Sequence, residues 1–230
     1  MPKTIIFTAI VPVYNEGTRL INVINALKGA KSVDEIIVVD DGSDRTTKAA
    51  ITALERVTVC THVTNMGKTA AISTGVSAAR GQFLFMVDAD LRGLQSSAID
   101  AMTRAYLRRR PTMLLGVRTA APWFLRTLGA EIALTGERII PKQYLEKNKQ
   151  ICDLKGYLFE VAINGLTFGK DTVVKFKLDG LSQMSKWSKY GFPGLWQDFC
   201  IHCELIQFLG IGAYLWQMWY SAYRIPYVHE

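Results

Sequence analysis

The chain predicts an α/β domain built on a doubly wound, mostly parallel sheet with helices on both faces. Three observations carry that expectation. Over residues 4–87, apolar runs of strand length alternate with segments whose apolar residues recur at helical spacing, the order of a chain of βαβ units. Acidic clusters follow strands at 40–41 and 88–90, and the carboxyl ends of parallel strands are where such sheets hold ligands. The 230 residues, 49% of them hydrophobic, are enough for one large core and exclude general disorder.

Thr4–Val13 reads as the first strand, running into Pro12, Tyr14, Asn15 and Glu16. Leu20, Ile21, Val23, Ile24 and Leu27 then mark a helix. Glu35–Val39 is a second buried strand, ending in Asp40-Asp41-Gly42-Ser43-Asp44, and a helix follows to about Leu54. Val57–Val63 and Gly67–Ala79 repeat the pair. Phe83–Val87 closes it as a strand buried on both faces and ending on Asp88-Ala89-Asp90. Side chains two apart in an extended segment point the same way, so Asp88 and Asp90 can converge, with Ala89 too small to crowd them. Such a pair suits Mg²⁺ or Mn²⁺, hard cations that share oxygen ligands with substrate phosphates; a solvated turn is the plainer alternative.

Two nucleotide signatures are excluded. Gly67-Lys68-Thr69 resembles the end of a phosphate-binding loop, but His62 stands where that motif needs glycine. The first strand is followed by no GxGxxG, which disfavours a dinucleotide site. Lys68 can still reach a phosphate from a helix start. The net charge of +7 is concentrated between residues 100 and 190, sixteen basic against eight acidic groups, which favours a phosphorylated partner or an anionic membrane surface. Arg108-Arg109-Arg110 is the single basic run and lacks interleaved aromatics, so nucleic acid is not expected. Met1-Pro2-Lys3 leads at once into a strand, giving no cleavable signal, so a cytoplasmic chain is expected. Cys60, Cys152, Cys200 and Cys203 read as reduced core thiols, since Cys200 and Cys203 have no second close pair to complete a zinc site.

With Val11-Pro12-Val13-Tyr14-Asn15-Glu16, Val38-Val39-Asp40-Asp41-Gly42-Ser43-Asp44, Asn65-Met66-Gly67-Lys68 and Asp88-Ala89-Asp90 in view, the chain resembles family 2 glycosyltransferases of the GT-A fold. Within them it is most similar to the dolichyl-phosphate mannose synthase and polyprenyl-phosphate glycosyltransferase group, over about residues 5–92. The resemblance implies that Pro12, Tyr14, Glu16 and Asp41 hold the nucleobase and ribose of a UDP- or GDP-sugar. It also implies that Asp88 faces ribose and metal with Ala89 beside the donor, and that Asp90 ligates a divalent ion bridging the diphosphate.

Past Asp90 the match thins. Met113–Val117 reads as a fifth strand with Arg118 at its end, Trp123–Leu134 as a helix carrying Arg126, and Thr135-Gly136-Glu137-Arg138 as a turn. The family has arginines here that meet an acceptor phosphate, which makes Arg118, Arg126 and Arg138 candidates. Gly156-Tyr157-Leu158-Phe159-Glu160 resembles a family segment near the reaction centre, and Glu160 in an apolar run is costly to bury unpaired. Where phosphate-linked members carry an arginine after a basic strand, this chain has Lys175, Lys177 and Lys186, which can substitute in charge but not as a bidentate fork. Leu205–Tyr223 is uncharged and aromatic-rich, and fits an interfacial helix, one packed on the domain or a second copy, or a spanning one.

The domain expected is 1–198, with a nucleotide-sugar half at 1–110 and an acceptor half at 111–198, followed by an aromatic helix at 199–230. Its expected activity is metal-dependent transfer of a hexose from a nucleotide sugar to a polyprenyl phosphate. A phosphate acceptor needs no protein base; a hydroxyl acceptor would draw on Glu160, Asp198 or Asp153. The alternatives are a family 2 enzyme with a small soluble phosphorylated acceptor, and a non-catalytic, membrane-peripheral nucleotide-sugar binder.

Overall fold

The computed structural model describes residues 6–118, 129–154, 158–183 and 192–229. Strands β1 (Phe7–Val13), β2 (Glu35–Asp40), β3 (Thr58–Thr61) and β4 (Phe83–Met86) alternate with helices α1 (Leu20–Gly29), α2 (Arg45–Thr52) and α3 (Lys68–Ala78). After β4 come β5 (Leu91–Arg92), α4 (Ser96–Arg109), β6 (Met113–Arg118), α5 (Ala130–Ala133), β7 (Arg138–Pro141) and α6 (Lys142–Lys147). The chain then forms α7 (Leu158–Thr167), β8 (Val173–Leu178), β9 (Ser182–Gln183), α8 (Phe192–Leu209), α9 (Ile211–Tyr223) and β10 (Tyr227–Val228). Eight strands make one sheet in the order β10-β8-β6-β7-β4-β1-β2-β3, while β5 and β9 pair separately as a short antiparallel ribbon beside the Asp88–Asp90 turn.

The sheet is parallel except for β7, which runs antiparallel to both β4 and β6. Thr135–Arg138 reads as a turn in sequence; the structure instead starts a strand at Arg138 and inserts it between β4 and β6. Continuous apolar runs in β1, β2, β4 and β6 are buried because helices cover both faces. On one face α1 and α4 pack Leu20, Ile24, Met102 and Tyr106 against Val11, Val38 and Phe85. On the other, α3 and α7 pack Ile72, Val76, Phe159 and Ile163 against Ile10, Val39 and Met86. A Cβ at Gly75 would lie 2.4 Å from Ile10 Cγ2, so glycine lets α3 sit close on the sheet and fixes the start of that helix, Lys68, over the strand ends.

The expected single C-terminal helix is two. Gly210, at φ 78°, breaks the uncharged stretch into α8 and α9, which meet at 107°. No single described helix is long and apolar enough to cross a membrane, although residues 199–209 and 211–223 pass that test together by length and composition. The expected boundary at residue 198 falls inside α8. Leu205, Tyr214 and Met218 anchor the pair on α5 and α7, and Gln217 donates to the Val161 carbonyl at 2.9 Å. Much of the pair's described apolar surface is open: Phe192, Trp196, Phe199, Ile211, Leu215, Trp216, Trp219 and Tyr223 are all exposed. Cys200 and Cys203 are exposed on α8 too, so they are free thiols but not core ones.

Lys175 also departs from expectation. It is buried on β8 and its ammonium donates to the carbonyls of Ser221 (2.9 Å) and Ala222 (3.1 Å), capping the last turn of α9, with the Tyr227 ring 4.5 Å away. It therefore ties the helix pair to the sheet and is not directed at an acceptor. Lys177 is exposed beside the same ring, and Lys186 lies outside the described residues.

Candidate active site

Three loops at the carboxyl ends of β1, β2 and β3 are laced together by side chains bonding to backbone. Asn15, in the left-handed region at φ 56°, accepts from Asp44 N through its side chain at 2.7 Å and donates its own N–H to Ser43 Oγ. Gly17 N donates to Thr47 Oγ1. Asp40 accepts from Ser43 N, and Asp44 caps α2 by accepting from Thr47 N. Gly42, at φ 72°, has no room for a Cβ, which would lie 2.5 Å from the Thr64 carbonyl carbon.

Asp41 is the clasp of this assembly. Its carboxylate accepts from Met66 N and Gly67 N at 2.8 Å each and contacts His62 Nδ1 at 2.7 Å, while His62 Nε2 meets Thr74 Oγ1 at 2.9 Å. Buried and so committed, Asp41 shapes the loop before α3. The resemblance gives it a contact with the nucleobase; in this structure its carboxylate bonds to the chain's own backbone and His62, and on the neighbouring loop Tyr14 is exposed and Pro12 and Glu16 are half-exposed. Glu16 pairs with Arg19 at 2.8 Å. His62 is not readable from the sequence as a partner of Asp41, since one histidine after a strand makes no pattern.

The second cluster is built differently. Lys68, the first residue of α3, reaches over the end of β4 and places its ammonium 2.8 Å from Asp88 Oδ1 and 2.8 Å from Glu160 Oε1. Burial would lower the lysine, yet the two carboxylates outweigh it and hold Lys68 firmly protonated. Asp88 lies flat on the backbone of Gly136, where a Cβ would fall 2.4 Å from both carboxylate oxygens. Asp90 is buried two residues on. Glu160 comes in from α7, and its second oxygen, Oε2, is buried with no hydrogen-bond partner among the described residues.

Arg118, at the end of β6, donates to Glu131 Oε2 at 2.8 Å; burial works against its charge, and Glu131, Asp88 and, when ionised, Glu137 outweigh it. Glu137 is fully buried, and its Oε1 likewise has no partner among the described residues. Arg138, in contrast, is closed to a ligand. It donates to the carbonyls of Thr135 and Ala133 and to Asn164 Oδ1, each at 2.7 Å, which explains how a fully buried arginine is tolerated; burial lowers it to about 10, still charged at neutral pH. The acceptor role read for Arg138 thus gives way to a structural one, binding α5 and α7 to β7. Arg126, Gly156 and Tyr157 lie outside the described residues; Asp198 is on α8, but its side chain is outside them. Asp153 is exposed in the turn before α7.

Asp88 and Asp90 supply hard oxygen donors, and no three described His, Cys, Asp or Glu side chains converge as a complete metal cage.

The model of the family described as Glycosyl transferase family 2 matches residues 8–162. The chain is 39% identical over 98 residues to the dolichyl-phosphate beta-glucosyltransferase of Mus musculus, 36% of this chain and 30% of that protein. It is 38% identical over 98 residues to the one of Homo sapiens, 36% of this chain and 30% of that protein. The match spans about a third of the length of these curated relatives. By fold, it superposes on glucosyl-3-phosphoglycerate synthase from Mycobacterium tuberculosis, solved with Mn²⁺, UDP-glucose and phosphoglyceric acid: TM-score 0.63, 19% identity, 84% of this chain and 79% of that one. TarS of S. aureus in complex with UDP-GlcNAc gives TM-score 0.52 and 21% identity over 63% of this chain and 48% of that one.

Proposed function

Since the chain belongs to the family 2 glycosyltransferases, we propose that it transfers a hexose from a UDP- or GDP-sugar to a phosphorylated acceptor, a polyprenyl phosphate. The observation that carries this reading is the Asp88–Lys68–Glu160 bridge at the carboxyl ends of the parallel strands, a charged site beside Asp90. The names of the curated relatives favour glucose as the sugar and a dolichyl-type phosphate as the acceptor.

The loops after β1 and β2 receive the nucleoside, over Pro12, Tyr14 and Glu16. Asp90, with Asp88, would hold a Mn²⁺ or Mg²⁺ ion, which supplies charge neutralisation for the departing nucleoside diphosphate. Lys68 keeps Asp88 and Glu160 in place and puts a fixed positive charge next to the reacting sugar, where a preorganised charge counts most. Arg118 offers the acceptor phosphate a guanidinium. That phosphate is already ionised and can attack the anomeric carbon without a base. A hydroxyl acceptor would need one, and the oxygen of Glu160 unpartnered among the described residues supports that residue in the role.

The exposed aromatics of α8 and α9 support contact with a membrane interface, where amphipathic rings settle and where a lipid phosphate would be met. The test incubates UDP- and GDP-sugars with the chain and Mn²⁺, alone, with dolichyl phosphate and with phosphoglyceric acid. Transfer to the lipid phosphate, abolished by chelation, is expected. Transfer to phosphoglyceric acid alone would move the acceptor to the soluble class, and no turnover with any donor would overturn the enzyme reading.

A further inference from the structure

The hydroxyl of Thr135 has one hydrogen and two close oxygen neighbours. It lies 2.8 Å from the Gly116 carbonyl, which can only accept, and 2.6 Å from Glu137 Oε2. If the hydrogen points at Gly116, the shorter contact to Glu137 must contain a second hydrogen, and the carboxyl is its one source. The other arrangement leaves two oxygens 2.8 Å apart with no hydrogen between them. Of the cations near it, Lys68 is bonded to Asp88 and Glu160 and Arg118 to Glu131, so an ionised Glu137 would have to share Arg118 with Glu131, buried and with one oxygen unpartnered among the described residues.

We propose that Glu137 is a positioning residue that stands in the resting protein as a neutral carboxylic acid, so that it does not compete with an anionic ligand for the charge of Arg118. The groups acting on Glu137 are Arg118 from β6, Asp88 from the turn after β4, Lys68 from α3 and Thr135 from its own segment. Burial raises the carboxyl most; Arg118 opposes, Asp88 raises it further and Lys68 opposes, while Thr135 lowers it only with its hydrogen turned from Gly116 to Glu137. The use of Arg118 by the acceptor rests on the function proposed above; the proton on Glu137 does not.

The experiment uses the full chain. Infrared difference spectra between wild type and Glu137→Gln at neutral pH should show a protonated-carboxyl C=O band in the wild type that the variant lacks. Transfer assays run beside them: Glu137→Gln, a neutral isostere, should keep kcat and acceptor KM within about twofold, whereas Glu137→Ala should raise acceptor KM about tenfold with a smaller change in kcat. A wild type without the band overturns the proposal, as does a Glu137→Gln variant as impaired as Glu137→Ala. Should Glu137→Gln fail to fold, wild type with carbon-13 glutamates decides the question by the presence or absence of the band. A band in a chain that transfers no sugar upholds the proton and overturns only the proposed function.

Discussion

The two acidic clusters at the strand ends look alike in sequence and are opposite in construction. At Asp40-Asp41 the carboxylates take backbone N–H groups and His62, and the result is a closed, braced loop. Around Asp88, Glu137 and Glu160 the partners include side-chain cations, and two carboxyl oxygens are left without hydrogen bonds among the described residues. A carboxylate surrounded by its own backbone is a structural part. One held by a side-chain ammonium beside unsatisfied oxygens can exchange partners with a ligand, which is what a reaction site needs.

The contrast breaks most severely at Lys68. Lys68→Met should lower turnover on the order of 100- to 1,000-fold, because it removes a preorganised charge and leaves Asp88 and Glu160 repelling each other; steady-state kinetics at saturating donor reads it. Next comes Arg138→Met, which strips the hydrogen bonds from the Ala133 and Thr135 carbonyls and from Asn164. It should cost about 3 kcal/mol of stability in urea unfolding. An unchanged midpoint would make Arg138 a candidate ligand group again. Asp41→Asn should cost about 1–2 kcal/mol, since an amide cannot accept from His62, Met66 and Gly67 at once.

Much of this is legible in the sequence, and the reasons are physical. Uninterrupted apolar runs such as Phe83–Val87 and turn signals such as Asp41-Gly42-Ser43 are local, and local patterns survive folding. Lys68 stands at a helix start as its sequence context indicates, but its two carboxylate partners lie 20 and 92 residues away, and no spacing rule connects them. Arg138 escapes a sequence reading because Thr-Gly-Glu-Arg looks like a turn until β4 and β6 are seen to leave a strand-wide gap between them. Gly210 splits the C-terminal stretch, although an isolated glycine inside a helical pattern is usually tolerated.

A smaller effect is expected at Lys175, where burial lowers the ammonium to about 8. The unfolded chain then holds more protons between that value and the ordinary lysine range, so stability should rise with pH, by about 1 kcal/mol from pH 7 to 9. Lys175→Met should flatten that rise in thermal melts. A wild-type melt that falls over the same interval would mean that the lysine is held charged by a partner.

The opposition of the two clusters is sharpest at Asp90 set against Asp41. Calorimetric titration of UDP-glucose with Mn²⁺ into Asp90→Asn and Asp41→Asn, with a thermal melt of each, separates them. Asp90→Asn is expected to lose metal-dependent donor binding, while Asp41→Asn melts lower and still needs the metal for whatever binding it retains. Metal-dependent affinity surviving intact in Asp90→Asn would contradict the division of labour between a braced loop and a reactive site.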